Sequence, residues 1–188
     1  AILGGAKPET KIPLVKIYLK DADNVFVGGA LANNFFRAMG FEVGQSMVDD
    51  SVLIAKSILN NKKLILPETV VLKNQNKKEV KLDQIKKTDQ ILDIGKTNLE
   101  KLSPLIKKAK LIIWNGPLGW YEYGYTETTD KLIDLLISSK AKIIIGGGDT
   151  ALFLAKKKLN KNIFVSTGGG ATLEFLSKGT LPGIKALK

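Results

Sequence analysis

Residues 111–117 read Leu111-Ile112-Ile113-Trp114-Asn115-Gly116-Pro117, and residues 143–150 read Ile143-Ile144-Ile145-Gly146-Gly147-Gly148-Asp149-Thr150. Each is a short, β-branched apolar run that stops at glycine. Apolar runs of this length, without polar alternation, fit strands covered on both faces. The pattern recurs outward in both directions. Ile2–Leu3 leads into Gly4-Gly5-Ala6-Lys7, Val25–Val27 into Gly28-Gly29-Ala30, and Ile163–Val165 into Ser166-Thr167-Gly168-Gly169-Gly170. A sixth run is Lys63–Leu66. Stretches of helical period near 9–20, 31–40, 50–60, 97–109, 127–139, 150–158 and 172–178 separate the runs. Strands alternating with helices predict an α/β domain spanning residues 1–188. It is doubly wound, around a mainly parallel six-stranded, Rossmann-like sheet.

Some segments depart from this rhythm. Residues 70–94 read as a small β excursion, with short strands at Val70–Lys73 and Val80–Leu82 around a turn at 74–78. In 50–60, the apolar residues Val52, Leu53, Ala55, Ile58 and Leu59 fall largely on one helical face. Pro104 either kinks the helix at 97–109 or opens a new helix capped by Ser103.

Composition removes several classes of chemistry. The 188 residues include neither cysteine nor histidine. Disulfides, Ser-His-Asp and Cys-His mechanisms and the common zinc sites are therefore excluded. Catalysis must rest on lysines, carboxylates, hydroxyls and backbone amides. The net charge of +11 allows a nucleic-acid surface, but the lysines are scattered, as at Lys56, Lys62, Lys86, Lys131 and Lys161. Arg37 is the only arginine, although base and phosphate recognition favours that planar fork. A solvated lysine-rich exterior is the better reading, and no nucleic-acid partner is expected. The longest apolar runs are about six residues, too short for a membrane helix. No secretory segment is visible at the start, so a cytoplasmic location is expected. The chain opens without methionine, which suggests a piece of a longer polypeptide.

In a parallel sheet all five glycine turns lie at one edge, beyond the carboxyl ends of the strands, where open α/β folds bind ligands. Glycine lets the backbone approach a ligand, and helix starts offer free N–H groups to anions. A phosphate-rich ligand is the expectation. No Walker sequence is present, and Gly146-x-Gly148-x-x-Ala151 matches the dinucleotide pattern only loosely. No acidic residue follows Ile163–Val165 to hold a ribose, which disfavours a dehydrogenase. Asp149 is either a helix N-cap or a hard oxygen ligand for Mg²⁺. Lys7 and Lys11 are either solvated or phosphate-facing, sharing a face if the helix has begun at Lys7. Glu122 is a solvated loop charge or a ribose acceptor.

Read together, Gly4-Gly5-Ala6-Lys7 with Lys11-Ile12, Gly28-Gly29-Ala30, Trp114–Gly119, Gly146–Thr150 and Ser166–Ala171 resemble phosphoglycerate kinase in order and spacing. Leu173–Leu176 and Leu181-Pro182-Gly183 resemble that family's C-terminal end. The resemblance covers essentially the whole chain. It implies the C-terminal domain, which binds Mg-ADP or Mg-ATP, without the N-terminal phosphoglycerate-binding domain and its catalytic arginine. It also implies a glycolytic, monomeric parent enzyme. By the same resemblance, Gly5, Ala6, Gly29 and Ala30 line an adenine cleft, with Met47, Leu92, Pro117 and Trp120 as neighbours. Glu122 holds the ribose. Lys11, Asn115, Gly147, Gly148 and Thr150 serve the phosphates, and Asp149 coordinates Mg²⁺. Lys7 stabilises the phosphoryl group in flight, with the amides of Gly168, Gly169 and Gly170. Ile91 stands where that family usually has glycine, Lys96 replaces a usual proline, Trp120 replaces a smaller aliphatic residue, and Tyr121 replaces phenylalanine. The rival readings are a non-catalytic nucleotide-binding module and a basic nucleic-acid-binding protein.

Overall fold

The computed structural model describes residues 1–188 apart from Asn74, Gln75, Lys77, Lys156 and Lys188. The first part of the chain forms β1 (Ile2–Leu3), α1 (Pro8–Asp21), β2 (Val25–Val27), α2 (Leu31–Ala38), α3 (Val52–Ile58) and β3 (Leu64–Ile65). A small excursion follows, with β4 (Thr69–Leu72), β5 (Glu79–Lys81) and β6 (Ile91–Ile94). The remainder comprises α4 (Thr97–Lys108), β7 (Leu111–Asn115), α5 (Glu127–Ile137), β8 (Lys142–Gly146), α6 (Gly148–Leu154), β9 (Ile163–Ser166), α7 (Gly169–Lys178) and α8 (Pro182–Ala186).

The main sheet has the order β3-β2-β1-β7-β8-β9, and every neighbouring pair is parallel. From β1 the chain winds outward through β2 to β3. It then returns to the other side of β1 and winds outward again through β7, β8 and β9. The sense of winding reverses between β1 and β7, where a crevice must open because successive crossovers leave on opposite faces.

Side-chain alternation divides the core. Leu3, Val25 and Val27 pack on one face with Ile12, Val15, Leu31, Phe35 and Leu173, from α1, α2 and α7. Ile2, Phe26, Trp114, Ile143 and Ile145 pack on the other with Leu99, Leu102, Leu132 and Leu136, from α4 and α5. Burying each such side chain contributes about 1.5–3 kcal/mol. Trp114 is fully buried, and its indole N–H donates to the Gly116 carbonyl at 2.9 Å, so its polar edge is satisfied.

The structure modifies several expectations. The excursion is an antiparallel sheet of order β5-β4-β6, so it has a third strand, Ile91–Ile94, beyond the two expected. Of the turn expected at 74–78, Asn74, Gln75 and Lys77 lie outside the described residues. Leu53 is 77% exposed, so it does not share the buried face of α3 with Ala55 and Ile58. Pro104 lies within α4 and does not start a new helix, and α1 holds an interior proline, Pro13, as well. The short α8 has no counterpart among the expected helices.

Candidate functional site

The turns after β1, β2 and β7 are knitted together by their own backbones. Gly4 N–H donates to Asn115 O at 2.8 Å, Gly5 N–H to Pro117 O at 2.7 Å, and Leu31 N–H to Gly5 O at 3.1 Å. Such close passage leaves no space for side chains. At Gly29 (φ +61°) an added Cβ would lie 2.6 Å from Gly5 N and 2.8 Å from Pro117 O. At Gly116 (φ +91°) it would collide with the Gly4 carbonyl. Both positions combine a left-handed backbone with contact, which only glycine tolerates.

Beyond these turns lies a cleft of about 280 Å³, between the carboxyl edge of the main sheet and the small sheet. Gly5, Ala6, Gly29, Ala30, Met47, Leu92, Pro117, Trp120, Glu122 and Asp149 all line it, as does Ile91. Its walls are mostly apolar, with a few polar groups, as small-molecule sites usually are. The Trp120 N–H donates to Leu92 O at 2.7 Å and fastens the two walls. Glu122 sits in a single 3₁₀ turn, Tyr121–Tyr123, at the cleft margin.

The remaining expected residues lie at the end of β7, on the turns after β1, β8 and β9 and at the helix starts that follow them. Lys7 is exposed and left-handed (φ +66°), and α1 starts at Pro8. Lys7 therefore precedes the helix, and the helical-face pairing with Lys11 does not hold. Lys11 is instead sunk among the glycine turns, its Nζ donating to Gly4 O at 2.6 Å. Burial lowers its pKa to about 8; Asp149 acts in the opposite direction, and Lys7 adds to the lowering. Asn115 is buried and donates through Nδ2 to Gly169 O at 3.3 Å. Thr150 is buried too, its hydroxyl accepting from Gly116 N–H at 2.9 Å. Gly147 occupies the cap position of α6, followed by Gly148 and then Asp149. Asp149 is thus not the N-cap; its Oδ1 accepts a 3.3 Å hydrogen bond from the Tyr121 hydroxyl. Gly168 caps α7, with Gly169 and Gly170 in its first turn.

Three cleft residues escape the sequence reading: Asn33, Gln90 and Asp93. Asn33 lies one helical turn after Ala30, and its Nδ2 donates to Met47 O at 3.1 Å. Asp93 carries a readable signal, since a carboxylate inside Ile91-Leu92-Asp93-Ile94 is bound to be buried. Burial raises its pKa to about 7, although Thr128 Oγ1 and the Ile94 N–H both donate to its Oδ1 and favour the charged form. The Tyr121 phenol is likewise pushed up to about 12, first by hydrogen bonding to the Glu122 carboxylate and then by burial and the charge of Asp149.

The fold and sequence have known counterparts. The family model described as phosphoglycerate kinase matches residues 1–179. The chain belongs to the phosphoglycerate kinase family. A phosphoglycerate kinase of Wigglesworthia glossinidia brevipalpis is 38% identical over all of this chain and half of that protein. One of Nitratiruptor sp. is 39% identical with the same coverage. The solved phosphoglycerate kinase of Coxiella burnetii superposes with a TM-score of 0.88 at 34% identity, over all of this chain and 52% of that one. That of Pyrococcus horikoshii gives 0.85 at 31% identity, over 99% of this chain and 50% of that one. The chain spans about half the length of the phosphoglycerate kinases it matches.

No group of three or more His, Cys, Asp or Glu that could hold a metal exists among the described residues. A lone carboxylate such as Asp149 still fits Mg²⁺, which commonly takes one or two carboxylates and completes its shell with substrate phosphates and water. No described helix is long and apolar enough to cross a membrane.

Proposed function

We propose that this chain is the nucleotide-binding, C-terminal domain of a phosphoglycerate kinase, taking Mg-ADP or Mg-ATP. The parent reaction is the reversible transfer of a phosphoryl group between 1,3-bisphosphoglycerate and ADP, giving 3-phosphoglycerate and ATP in glycolysis. The observation that carries this reading is the union of an apolar cleft with a row of glycine turns at the winding reversal, within a chain of this family.

In this reading the adenine enters between Gly5-Ala6, Gly29-Ala30 and the wall of Met47, Ile91, Leu92 and Trp120. Glu122 accepts from the ribose. The phosphates run past the β7 turn toward the starts of α6 and α7, with Lys11 beneath them and Asn115, Gly147, Gly148 and Thr150 around them. Asp149 would hold Mg²⁺, which supplies charge neutralisation on the phosphate oxygens. Lys7 and the amides of Gly168, Gly169 and Gly170 face the phosphoryl group in transfer. Such chemistry needs positioning and charge stabilisation rather than a covalent intermediate, so the absence of histidine and cysteine is no obstacle.

The acceptor must be held in line and shielded from water. That task falls to an N-terminal domain, the partner this reading requires. The test is to assay the 188-residue chain for ADP binding, then for ATP formation from 1,3-bisphosphoglycerate and ADP. Binding without turnover, with turnover restored by a separately made N-terminal domain, is the expected result. Turnover by the chain alone would overturn the half-enzyme reading. Failure to bind ADP would overturn the nucleotide site itself, and binding that no N-terminal domain converts into turnover would favour a non-catalytic module.

A further inference from the structure

Tyr121 joins the two ends of the cleft. It belongs to the turn Tyr121–Tyr123, between Trp120 on the apolar wall and Glu122 at the margin. Its hydroxyl reaches 28 residues along the chain to Asp149 Oδ1 at 3.3 Å. Its ring meets Phe153, one turn further along α6, edge-on with centroids 5.5 Å apart and planes at 81°. Two contacts to one helix hold the ring against α6, which keeps the hydroxyl within reach of Asp149 Oδ1 as well as of the adjacent Glu122 carboxylate. Both Tyr121 and Asp149 line the cleft.

We propose that Tyr121 is a positioning residue for the cation site: its hydroxyl orients the Asp149 carboxylate through Oδ1 and leaves Oδ2 to the divalent ion. This rests on Asp149 being the cation ligand. Two physical points favour it. A carboxylate on a short surface helix is free to rotate about χ1 and χ2, and a single oriented donor removes that freedom before the metal arrives. Metal-ligating carboxylates are commonly held by a hydrogen bond of this kind, and losing the partner weakens metal affinity. The hydroxyl is also what distinguishes this side chain from phenylalanine. The ring alone would keep the Phe153 contact and the cleft wall, so what depends on the oxygen is the hydrogen bonding to Asp149 and to the neighbouring Glu122 carboxylate.

The test is calorimetric titration of ADP into the 188-residue chain, with Mg²⁺ and with EDTA, for the unaltered chain, Tyr121→Phe and Asp149→Asn. The quantity read is the ratio of ADP affinities with and without Mg²⁺. One neutral-donor hydrogen bond predicts roughly a three- to tenfold fall in that ratio for Tyr121→Phe. Asp149→Asn should lower it further, and the double variant should fall no lower than Asp149→Asn alone. A role confined to cleft shape would change both affinities together and leave the ratio intact; that result overturns the proposal. So does an unchanged ratio in Tyr121→Phe beside a lowered one in Asp149→Asn, which spares the reading of Asp149. An unchanged ratio in Asp149→Asn defeats that underlying reading and the proposal with it.

Discussion

Replacing Asp93 with asparagine should make the protein more stable than the unaltered chain at alkaline pH and change the sign or size of that advantage as pH falls. Asp93 is 4% exposed, and burial raises its pKa from the ordinary 3.8 to about 7. Between those values the folded chain binds a proton that the unfolded chain has released. Stability therefore falls as pH rises through this window, and the penalty is complete above pH about 7. The gap corresponds to about 4 kcal/mol, at about 1.4 kcal/mol for each tenfold in proton affinity, as an order of magnitude. The amide side chain of the Asp93→Asn variant would keep an oxygen acceptor for the Ile94 N–H and the Thr128 hydroxyl, which donate to Asp93 Oδ1, but would have one acceptor oxygen fewer for the Thr128 N–H, which also bonds the carboxylate. Its NH₂ group costs a roughly constant ~1 kcal/mol if it lacks an acceptor. The difference between Asp93→Asn and the unaltered chain should then shift by about 2–4 kcal/mol in the variant's favour from about pH 4 to about pH 8. Urea denaturation followed by tryptophan fluorescence at several pH values measures it. Parallel stability curves for the two proteins would show that Asp93 titrates normally and that its hydrogen bonds outweigh its burial.

Other perturbations test the site more directly. Ile91→Ala should weaken ADP binding by about 1–2 kcal/mol, since a side chain on the apolar wall is lost, while tripolyphosphate affinity stays within error; a common shift of both ligands would move Ile91 out of the base pocket. Lys11→Met should remove the pH dependence of ADP affinity, which in the unaltered chain should fall as the ammonium loses its proton above pH about 8; an affinity in the unaltered chain that stays flat as pH passes through that value would refute this. Gly29→Ala should destabilise the fold by about 3 kcal/mol or more, from a left-handed alanine and its collisions with Gly5 N and Pro117 O; a denaturation midpoint near that of the unaltered chain would mean that the turns separate easily.

How much of this was legible depended on which physical signal each segment carries. The inner strands β1, β2, β7 and β8 announce themselves as apolar, largely buried runs leading into glycine turns, whereas β3 runs into Leu66-Pro67 and β9 leaves Phe164 exposed. Ile91–Ile94 hid because it carries Asp93, which breaks the apolar run, and because its partner β4 runs antiparallel within a separate small sheet. The cleft walls followed from the glycine turns and the family resemblance, since Gly5 and Gly29 line the cleft through their backbones. Lys7 and Lys11 could not be separated by pattern. One is an exposed left-handed residue before the helix, and the other is half-buried beneath the turns, a difference set by where Pro8 starts α1. Asp149 resembles a cap because capping is what aspartate usually does before a helix, but Gly147 takes that position. Its actual partner, Tyr121, is remote in sequence, and no local period can reveal such a contact.

The glycines and Lys11 depend on one another. Lys11 Nζ lies 2.6 Å from Gly4 O, and a Cβ built on Gly5 or Gly116 would stand 3.0 Å or 2.8 Å from it. The ammonium therefore occupies space that side chains at these turns would take. It has three donors, and one of them is spent on Gly4 O. Partial burial of the ammonium is the main reason its pKa falls, and the nearby charge of Lys7 adds to it. Asp149 acts in the opposite direction. An anion entering the crevice would relieve that cost at the point where three glycine turns meet. A cation arriving alone at Asp149 would instead take away the charge that helps keep Lys11 protonated. By this logic, if the proposed site holds, phosphate and divalent ion should favour each other's binding, because one half-buried lysine is set near one carboxylate.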